Sequence, residues 1–531
     1  MKRISYILTI LLFIFATTAT AHDFVVNGIY YNITSSANKT VEITFRGNYC
    51  DEYSDEYSGD ITIPQNVTYN GVTYSVTGIG KVAFYKCSNL VNVVIPSSVT
   101  SIGEWAFESC FSINSIKIPD SVTTLGRSIF YNCTGLTSVE LGNGISAITN
   151  YMFENCTSLT SIKFPNSVTS IGEGAFYSCE ALESIKIPDA VTSIGGWAFA
   201  KCSNLENFNL PSNVELIDSC AFINCESIVN VQIPKSLTSL RFGVFGYCSS
   251  LSNIKIPNSV TSIGEGAFYS CEALESIEIP NSVTSIERIA FYNCTALENV
   301  EIPNSVTSIG EWAFENCFAL NSVRIPNTVT TFGHSIFYNC TGLKNVELCN
   351  GITAISVCMF GNCTSLTSIE IPNSVTSIGE GAFYSCTALE NIEIPNSVTS
   401  IWGYAFEECE KLKTLYISNA IESIGDSAFA NCNNIMEIKV GAKNAITANE
   451  NIFTTDTYSK ARLYVPVGSK NSYEKVTPWN KFHIAEMDFT GIDKMEHKEK
   501  GMETIYDLNG CIVKNPTKGI YIINGKKTIV K

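Results

Sequence analysis

The sequence has few of the residues that enzymes use for catalysis. The 531 residues include four histidines, and these are scattered along the chain at His22, His334, His483 and His497. No HExxH, GxSxG, phosphate-loop or CxxC motif occurs, although such motifs are what place a metal ion, a nucleophile or a phosphate for reaction. We therefore expect a protein that is not an enzyme, with no catalytic residue, cofactor or metal site.

Charged residues are also scarce, and basic ones are scarcer than acidic ones. They form 16% of the chain, and 34 Lys and Arg against 50 Asp and Glu give a net charge of −16. Proteins that bind nucleic acids neutralise phosphates with clustered Lys and Arg, and the sequence has no such cluster. This composition argues against a nucleic acid partner.

Long apolar runs are lacking after the N-terminus. The run at 7–15 follows Lys2 and Arg3 and precedes small residues ending at Ala21, which is the order of a secretory signal peptide over 1–21. A membrane anchor is the alternative, but a spanning helix needs about 18–20 apolar residues. The sequence predicts an exported protein, extracellular or on the outer-membrane surface, with no transmembrane segment once the signal is removed.

Cysteine, by contrast, is abundant and regularly spaced. A fixed period of 23 residues is typical of repeat proteins, since each unit is too small to bury an apolar face alone and must stack on its neighbours. Sixteen of the 21 cysteines follow this period without an insertion: Cys87, Cys110, Cys133, Cys156, Cys179, Cys202, Cys225, Cys248, Cys271, Cys294, Cys317, Cys340, Cys363, Cys386, Cys409 and Cys432.

An exported chain rich in cysteine suggests disulfides, but the regular spacing argues against them. If consecutive repeats pair in register, equivalent cysteines lie about 4.8 Å apart. Their side chains then point the same way, which is poor geometry for a bridge. We expect a ladder of buried thiols, in which cysteine acts as a small apolar residue. Five cysteines outside the series have no obvious partners: Cys50, Cys220, Cys349, Cys358 and Cys511.

Each repeat combines a short strand, a turn and an irregular return. In residues 87–109, Leu90, Val93 and Ile95 lie three, six and eight positions after the cysteine. The alternation of the last two predicts a strand with one buried face. Pro96 ends the strand, because proline has no N–H to donate to a neighbour. A Val-x-x-Ile-Gly turn follows, and a Phe stands three residues before the cysteine in all sixteen repeats.

The pattern Leu-x-x-Ile-x-Ile-Pro-x-x-Val-x-x-Ile-Gly-x-x-Ala-Phe-x-x-Cys resembles the BspA-like leucine-rich repeat family over residues 76–440. The resemblance implies a β-rich, α/β-type repeat solenoid. It would be right-handed and curved, with about sixteen 23-residue repeats and a parallel sheet on its concave face. Solenoids need caps over their terminal apolar turns, and we expect β caps at 22–75 and 441–488. The acidic, tyrosine-rich stretch 51–60 within the first cap predicts a solvated loop.

Residues 489–531 combine a charged linker with a C-terminal tail. The stretches 505–510 and 518–527 resemble the sorting signal of the type IX secretion system. This resemblance implies passage through the outer membrane, followed by cleavage or surface attachment. The alternative is a small β structure added to the solenoid.

One exposed column of the predicted sheet changes its charge along the chain. Of the side chains seven positions after each cysteine, the first eight include four Lys and one Glu, and the last eight include two cations and five Glu. Residues 98–186 recur with few changes at 305–393, and between these copies Lys163 corresponds to Glu370 and Lys186 to Glu393. The candidate binding face consists of Lys117, Lys163, Lys186, Lys255, Glu278, Glu301, Arg324, Glu347, Glu370 and Glu393.

Several interpretations of the exposed columns stay open. The charges could simply solvate the sheet or bind a partner. Calcium is a further hypothesis, since stacked Glu347, Glu370 and Glu393 would repel one another, although no calcium loop accompanies them. A column of tyrosines two positions before the cysteines could form a binding surface, but it more simply covers the phenylalanine beneath.

These observations predict a binding protein. The family resemblance implies an adhesin that engages host matrix or cell-surface proteins, or other microbes, through the concave face. One alternative is a glycan-binding module, in which aromatic platforms would matter more than charge. Another is a structural surface-layer protein without a specific ligand.

Overall fold

The structure is a computed structural model, and it describes residues 22–47, 49, 55–489, 505–506, 519–523 and 526–530. The chain forms two compact units, residues 1–145 and 146–531. The predicted signal peptide and most of the predicted linker lie outside the described residues. Within the described residues, no helix is long and apolar enough to cross a membrane.

The first unit begins with a β cap. Strands β1 (Phe24–Val26) and β2 (Ile29–Ser35) form a hairpin whose turn, Asn27-Gly28, has the positive φ angles of 52° and 78° that such tight turns require. Strand β3 (Thr40–Thr44) pairs antiparallel with β2. These three strands lie within the predicted N-terminal cap, 22–75.

Parallel turns stack onto this cap because strands recur at equivalent positions of successive turns. These strands are β4 (Gly59–Thr62), β5 (Asn66–Tyr69), β6 (Val72–Ile79), β7 (Leu90–Val94), β8 (Ser101–Ile102), β9 (Ser115–Lys117), β10 (Thr124–Leu125) and β11 (Ser138–Glu140). In one ladder β3 pairs with β6, β6 with β8 and β8 with β10, and β5 joins β6 antiparallel. In two other ladders β4 pairs with β7 and β9 pairs with β11.

The acidic stretch before the first repeat is partly buried, so the prediction of a solvated loop over 51–60 is wrong at Tyr57. This side chain is 2% exposed, and its ring centroid lies 4.8 Å from that of Phe84. Its hydroxyl donates to the carbonyl of Thr44 at 2.8 Å and accepts from the N–H of Tyr30 at 3.1 Å. Tyr57 covers the first ring of the phenylalanine column, which would otherwise end in water.

In the second unit each turn contributes one short strand and, in most turns, one longer strand. Equivalent strands pair in parallel and in register wherever the ladders are continuous. The longer strands are β13 (Ser161–Lys163), β15 (Ser184–Lys186), β17 (Asn207–Asn209), β19 (Asn230–Gln232), β21 (Asn253–Lys255), β23 (Ser276–Glu278), β25 (Asn299–Glu301), β27 (Ser322–Ile325), β29 (Asn345–Leu348), β32 (Asn391–Glu393), β34 (Thr414–Ile417) and β36 (Glu437–Val440).

The short strands consist of a Ser-Ile pair or its equivalent in each turn. They are β12 (Ala147–Ile148), β14 (Ser170–Ile171), β16 (Ser193–Ile194), β18 (Leu216–Ile217), β20 (Ser239–Leu240), β22 (Ser262–Ile263), β24 (Ser285–Ile286), β26 (Ser308–Ile309), β28 (Thr331–Phe332), β30 (Ala354–Ile355), β31 (Ser377–Ile378), β33 (Ser400–Ile401), β35 (Ser423–Ile424) and β37 (Thr447–Ala448).

The return segment of each turn is hydrogen-bonded as well. The N–H of Phe176, for example, donates to the carbonyl of Ala198 in the next turn at 2.7 Å. Two positions per turn have left-handed φ angles, five and one residues before the cysteine. In the turn that ends at Cys294 they are Ile289 (49°) and Asn293 (60°). These bends let the irregular segment aim its N–H and C=O groups along the stack.

Two regular columns fill the core of the second unit. Phenylalanine rings from Phe153 to Phe453 stack with centroids 5.1–6.0 Å apart. Beside them the thiols of the series from Cys179 to Cys432 donate to the carbonyl of the phenylalanine 26 residues earlier, as Cys271 does to Phe245 at 3.2 Å. All sixteen cysteines of the series are buried and reduced, which confirms the predicted thiol ladder.

Cys349 departs from the expectation that the cysteines outside the series lack partners. It forms a disulfide, whereas Cys220 and Cys358 remain thiols. The 23-residue period could not indicate this bond, because disulfide pairing depends on which chain segments meet in space rather than on position within a repeat.

A cap closes the end of the phenylalanine column. Phe453 occupies the Phe position one residue later than the 23-residue period requires, and its ring centroid lies 5.5 Å from that of Phe429. Trp479 and Phe482 then meet Phe453 edge-on. The cap consists of α1 (Thr455–Lys460), β38 (Arg462–Pro466), α2 (Lys470–Tyr473), a 3₁₀ turn (Trp479–Lys481) and β39 (His483–Met487), and its two strands extend the parallel sheet from β36.

The last described strands form a separate antiparallel sheet in which β41 (Gly519–Ile523) pairs with β40 (Ile505–Tyr506) and with β42 (Lys526–Val530). The predicted β-rich parallel solenoid is confirmed. It has about 18 turns over the two units, more than the sixteen repeats predicted, because strands outside the cysteine series, such as β38 and β39, also stack in parallel. The predicted boundaries at 76 and 440 stay predictions.

Candidate functional site

The predicted binding face lies on the longer strands, where the middle residue is buried and its two neighbours are exposed. In β21, for example, Ile254 is buried while Asn253 and Lys255 are exposed. This alternation follows from the two-residue period of a strand. The residue seven positions after the cysteine, such as Lys255 after Cys248, therefore lies on the outer face of its strand.

In the first unit, Lys117 of this face is exposed on β9 and already has a partner. Its ammonium lies 3.2 Å from the carboxylate of Glu140, the residue directly opposite on β11. Both side chains remain largely in water, so the pair contributes little to stability.

The basic part of the face in the second unit comprises Lys163, Lys186 and Lys255, on β13, β15 and β21. All three side chains are exposed. Among the described residues, none of them forms an ion pair. Successive turns are about 4.8 Å apart, so these lysines are spread over roughly 19 Å of the stack.

The acidic part follows directly. Glu278 on β23 stands opposite Lys255 on one side and Glu301 of β25 on the other. Glu393 lies on β32. Glu370 occupies the same position in a turn that has no longer strand. These four carboxylates are exposed and have no ion-pair partner among the described residues.

Arg324 and Glu347 interrupt the acidic part. They lie opposite each other on β27 and β29, with 3.5 Å between guanidinium and carboxylate. This pair corrects the expectation that Glu347 stacks against like charges, because its neighbour on one side is a cation. In the described residues no group of three or more His, Cys, Asp or Glu could hold a metal ion, so the calcium hypothesis gains no support.

The tyrosine column two positions before the cysteines is engaged in packing along the stack. The rings of Tyr269 and Tyr292 are parallel, with centroids 4.9 Å apart, and Tyr247 of the neighbouring column tilts against Tyr269 at 4.8 Å. Glu315 follows Tyr292 in this column, and burial raises the pKa of its carboxyl to about 7. These tyrosines present edges rather than open faces.

Two aromatic residues that the sequence analysis did not single out are more accessible. Trp402 is 59% exposed and Tyr404 is 43% exposed. A signal was present in the sequence, since Trp402 stands where ten of the sixteen repeats have glycine. The repeat pattern alone could not show that both rings point into solvent.

Comparisons with known proteins agree with this fold. A family model described as a BspA type leucine rich repeat region matches residues 61–181, 169–278, 261–369 and 353–467. A leucine-rich repeat protein of known structure from Bacteroides ovatus is 30% identical, and the match covers 82% of this chain and 100% of that one, with a TM-score of 0.56.

Two further solved structures are similar in sequence. A leucine rich cell surface protein from Faecalibacterium prausnitzii is 28% identical over 73% of this chain and 93% of its own, with a TM-score of 0.38. A leucine-rich repeat protein from Eubacterium ventriosum is 26% identical over 71% and 94%, with a TM-score of 0.41. No curated protein sequence matches the chain.

Proposed function

The chain belongs to the BspA-type leucine-rich repeat family, and on this premise we propose that it is an exported adhesin, surface-bound or secreted. Its ligand would be a host matrix or cell-surface protein, or the surface of another microbe. The observation that carries the proposal is the set of seven exposed charges without ion pairs, among the described residues, at equivalent positions of the turns of the second unit. Three lysines come first, and four carboxylates follow.

Stability alone does not favour this arrangement. Like charges directly opposite each other in a sheet, such as Glu278 and Glu301, are destabilising, whereas alternating signs would stabilise the same strands. Segregated charges instead suit recognition, because complementary potentials steer a partner and fix its orientation. A partner with an acidic region next to a basic region matches the order of the face.

Charge reversal at three acidic positions tests the proposal. The full-length protein is first applied to an array of extracellular-matrix proteins at 50 and 500 mM NaCl. Binding should weaken at the higher salt, because salt screens exposed charges beyond about 10 Å at 0.1 M. Replacing Glu278, Glu301 and Glu393 with Lys should then reduce affinity for the retained protein at least tenfold.

The matched control reverses Glu180, Glu226 and Glu410 to Lys. These exposed carboxylates directly follow a cysteine and lie outside the longer strands, so the control has the same net charge but an intact face. It should bind like the parent. Equal losses in both variants would show that net charge alone matters. The absence of any saturable ligand would favour a structural surface-layer protein instead.

We also propose that residues 1–21 direct export and that the tail, 489–531, sorts the protein to the surface. The test is the mass of the protein recovered from culture. The recovered chain should begin at His22, and a variant that lacks 505–531 should stay in the periplasm. An intact N-terminus on the recovered protein, or normal surface display of the deletion variant, would contradict this part.

A further inference from the structure

Trp402 and Tyr404 are two exposed aromatic residues of one turn, in the segment that follows the short strand β33. Trp402 is the most exposed aromatic residue described in the second unit. Because about half of each side chain stays in contact with water, their burial contributes less to the stability of the fold than that of a core aromatic residue. They are also separate from the longer strands that carry the charged face.

Glycine holds the position of Trp402 in ten of the sixteen repeats and the position of Tyr404 in four. At the position of Trp402, a Cβ built on the glycine of the next turn, Gly425, would lie 2.3 Å from the backbone N of Gly403, so the backbone must shift to accept one. Tyr404 has a left-handed φ of 58°, whereas Gly381 holds the same position in the preceding turn. A left-handed φ at this position is shared by every turn, so the exposure of two rings in one turn, rather than backbone strain, distinguishes this segment.

The turns before and after the two aromatic residues have carboxylate acceptors and no cation in the equivalent segments. The preceding turn has Gly379-Glu380-Gly381, whose N–H at Gly381 donates to the carbonyl of Gly403 at 3.0 Å. Glu380 is exposed, and its carboxylate has no hydrogen-bond or ion-pair partner among the described residues. Asp426 follows in the next turn and accepts from the amide of Asn449. No Lys or Arg occurs in 379–381, 402–404 or 425–427.

In the two equivalent Gly-Glu-Gly segments the carboxylate already has a partner. In 264–266, Glu265 pairs with Arg288 of the next turn. That turn has Ile289 at the position that Tyr404 occupies after 379–381. In 172–174, the hydroxyl of Tyr151 donates to Glu173. Of these three segments, 379–381 alone combines an unpaired carboxylate with two aromatic residues in the following turn.

We propose that Trp402, Tyr404 and Glu380 form a carbohydrate-binding site for a neutral hexose or N-acetylhexosamine. The electron-rich faces of the rings attract the C–H face of a sugar. The hydroxyls of the sugar donate charge-assisted hydrogen bonds to Glu380. The surrounding acceptors, without a nearby cation, disfavour acidic sugars and phosphates.

The test is a titration of the full-length protein with neutral, N-acetylated and acidic oligosaccharides selected on a glycan array, followed by saturation-transfer NMR. Neutral or N-acetylated sugars should bind, and 500 mM NaCl should change the affinity less than twofold. Trp402→Gly combined with Tyr404→Ser, which introduces residues that other turns have at these positions, should lower the affinity at least tenfold. Glu380→Gln should lower it several-fold.

Trp197→Gly is the matched control, since Trp197 occupies the position of Tyr404 in another turn and is 41% exposed. It should bind like the parent. Retention of no neutral sugar, selection of acidic sugars alone, or undiminished binding by the folded double variant would each overturn the proposal. Because the charged face is untouched in these variants, the outcome is independent of the adhesin proposal.

Discussion

At the residue scale, cysteine serves here as a hydrogen-bond donor as well as an apolar side chain. The thiols of Cys179 to Cys432 lie 3.0–3.4 Å from phenylalanine carbonyls of the preceding turn. Burial raises the pKa of Cys133 to about 12 and that of Cys271 well above its ordinary value. The thiols therefore stay protonated, which is the form that can donate.

Backbone conformation gives a prediction at the same scale. Ile289 is β-branched and has a left-handed φ of 49°, a conformation that costs most residues roughly 1–2 kcal/mol. Asn tolerates this conformation better, so Ile289→Asn should raise the melting temperature, with a gain of about 1 kcal/mol in the free energy of unfolding. Glu298→Asn, at a position without positive φ, is the control and should have no such effect. A lower melting temperature for Ile289→Asn would contradict the argument.

At the scale of elements, the terminal cap decides whether the last turns stay folded. Trp479 is fully buried, donates its indole N–H to the carbonyl of Ile446 at 2.7 Å and lies edge-on to Tyr473, with 5.9 Å between centroids. A stacked repeat protein gains its stability from contacts between neighbours, so an uncovered end weakens the turn beneath it.

Trp479→Ala should therefore cost about 3–5 kcal/mol, the usual range for removing a buried Trp. Hydrogen exchange should show the loss of protection in 437–487 first, while turns near 250–300 stay protected. Trp402→Gly removes an exposed Trp from the same unit and should leave the exchange pattern unchanged. Uniform loss of protection along the chain in Trp479→Ala would show that the turns unfold as one block instead.

The elements also show where sequence reasoning succeeds. The 23-residue period predicted the strand, the buried thiol and the Phe position of each repeat, because in-register stacking forces equivalent residues to share an environment. It failed for Tyr57, which takes the place of a Phe outside the period, and for the disulfide of Cys349. It predicted the charged face but not the Arg324–Glu347 pair or the exposure of Trp402. Those depend on contacts and backbone angles that differ between turns.

At the scale of the whole molecule, the many buried thiols predict marked instability in alkali. The ordinary thiol pKa is 9.0, and burial raises it in the folded protein. Above pH 9 the unfolded chain therefore binds fewer protons than the folded one, and the free energy of unfolding falls as pH rises. Below pH 9 both states are protonated, so the thiols cause no pH dependence there.

Each thiol contributes a slope of about 1.4 kcal/mol per pH unit above its unfolded pKa, so the melting temperature should fall steeply between pH 9 and 10.5. Circular dichroism melts at half-unit intervals measure this fall. A variant with Cys271, Cys294 and Cys317 replaced by Ala should show a shallower slope, even though its melting temperature at pH 7 is lower. A flat profile to pH 10.5 in the parent would contradict the linkage.

The repeated ladders between turns also determine how the protein responds to pulling. Equal bonds join each turn to the next, so tension between the two ends detaches turns one at a time. A turn of 23 residues occupies about 4.8 Å of the stack but extends to roughly 75–80 Å once released. An adhesin built this way would lengthen under the drag of flowing liquid and limit the force that reaches its ligand.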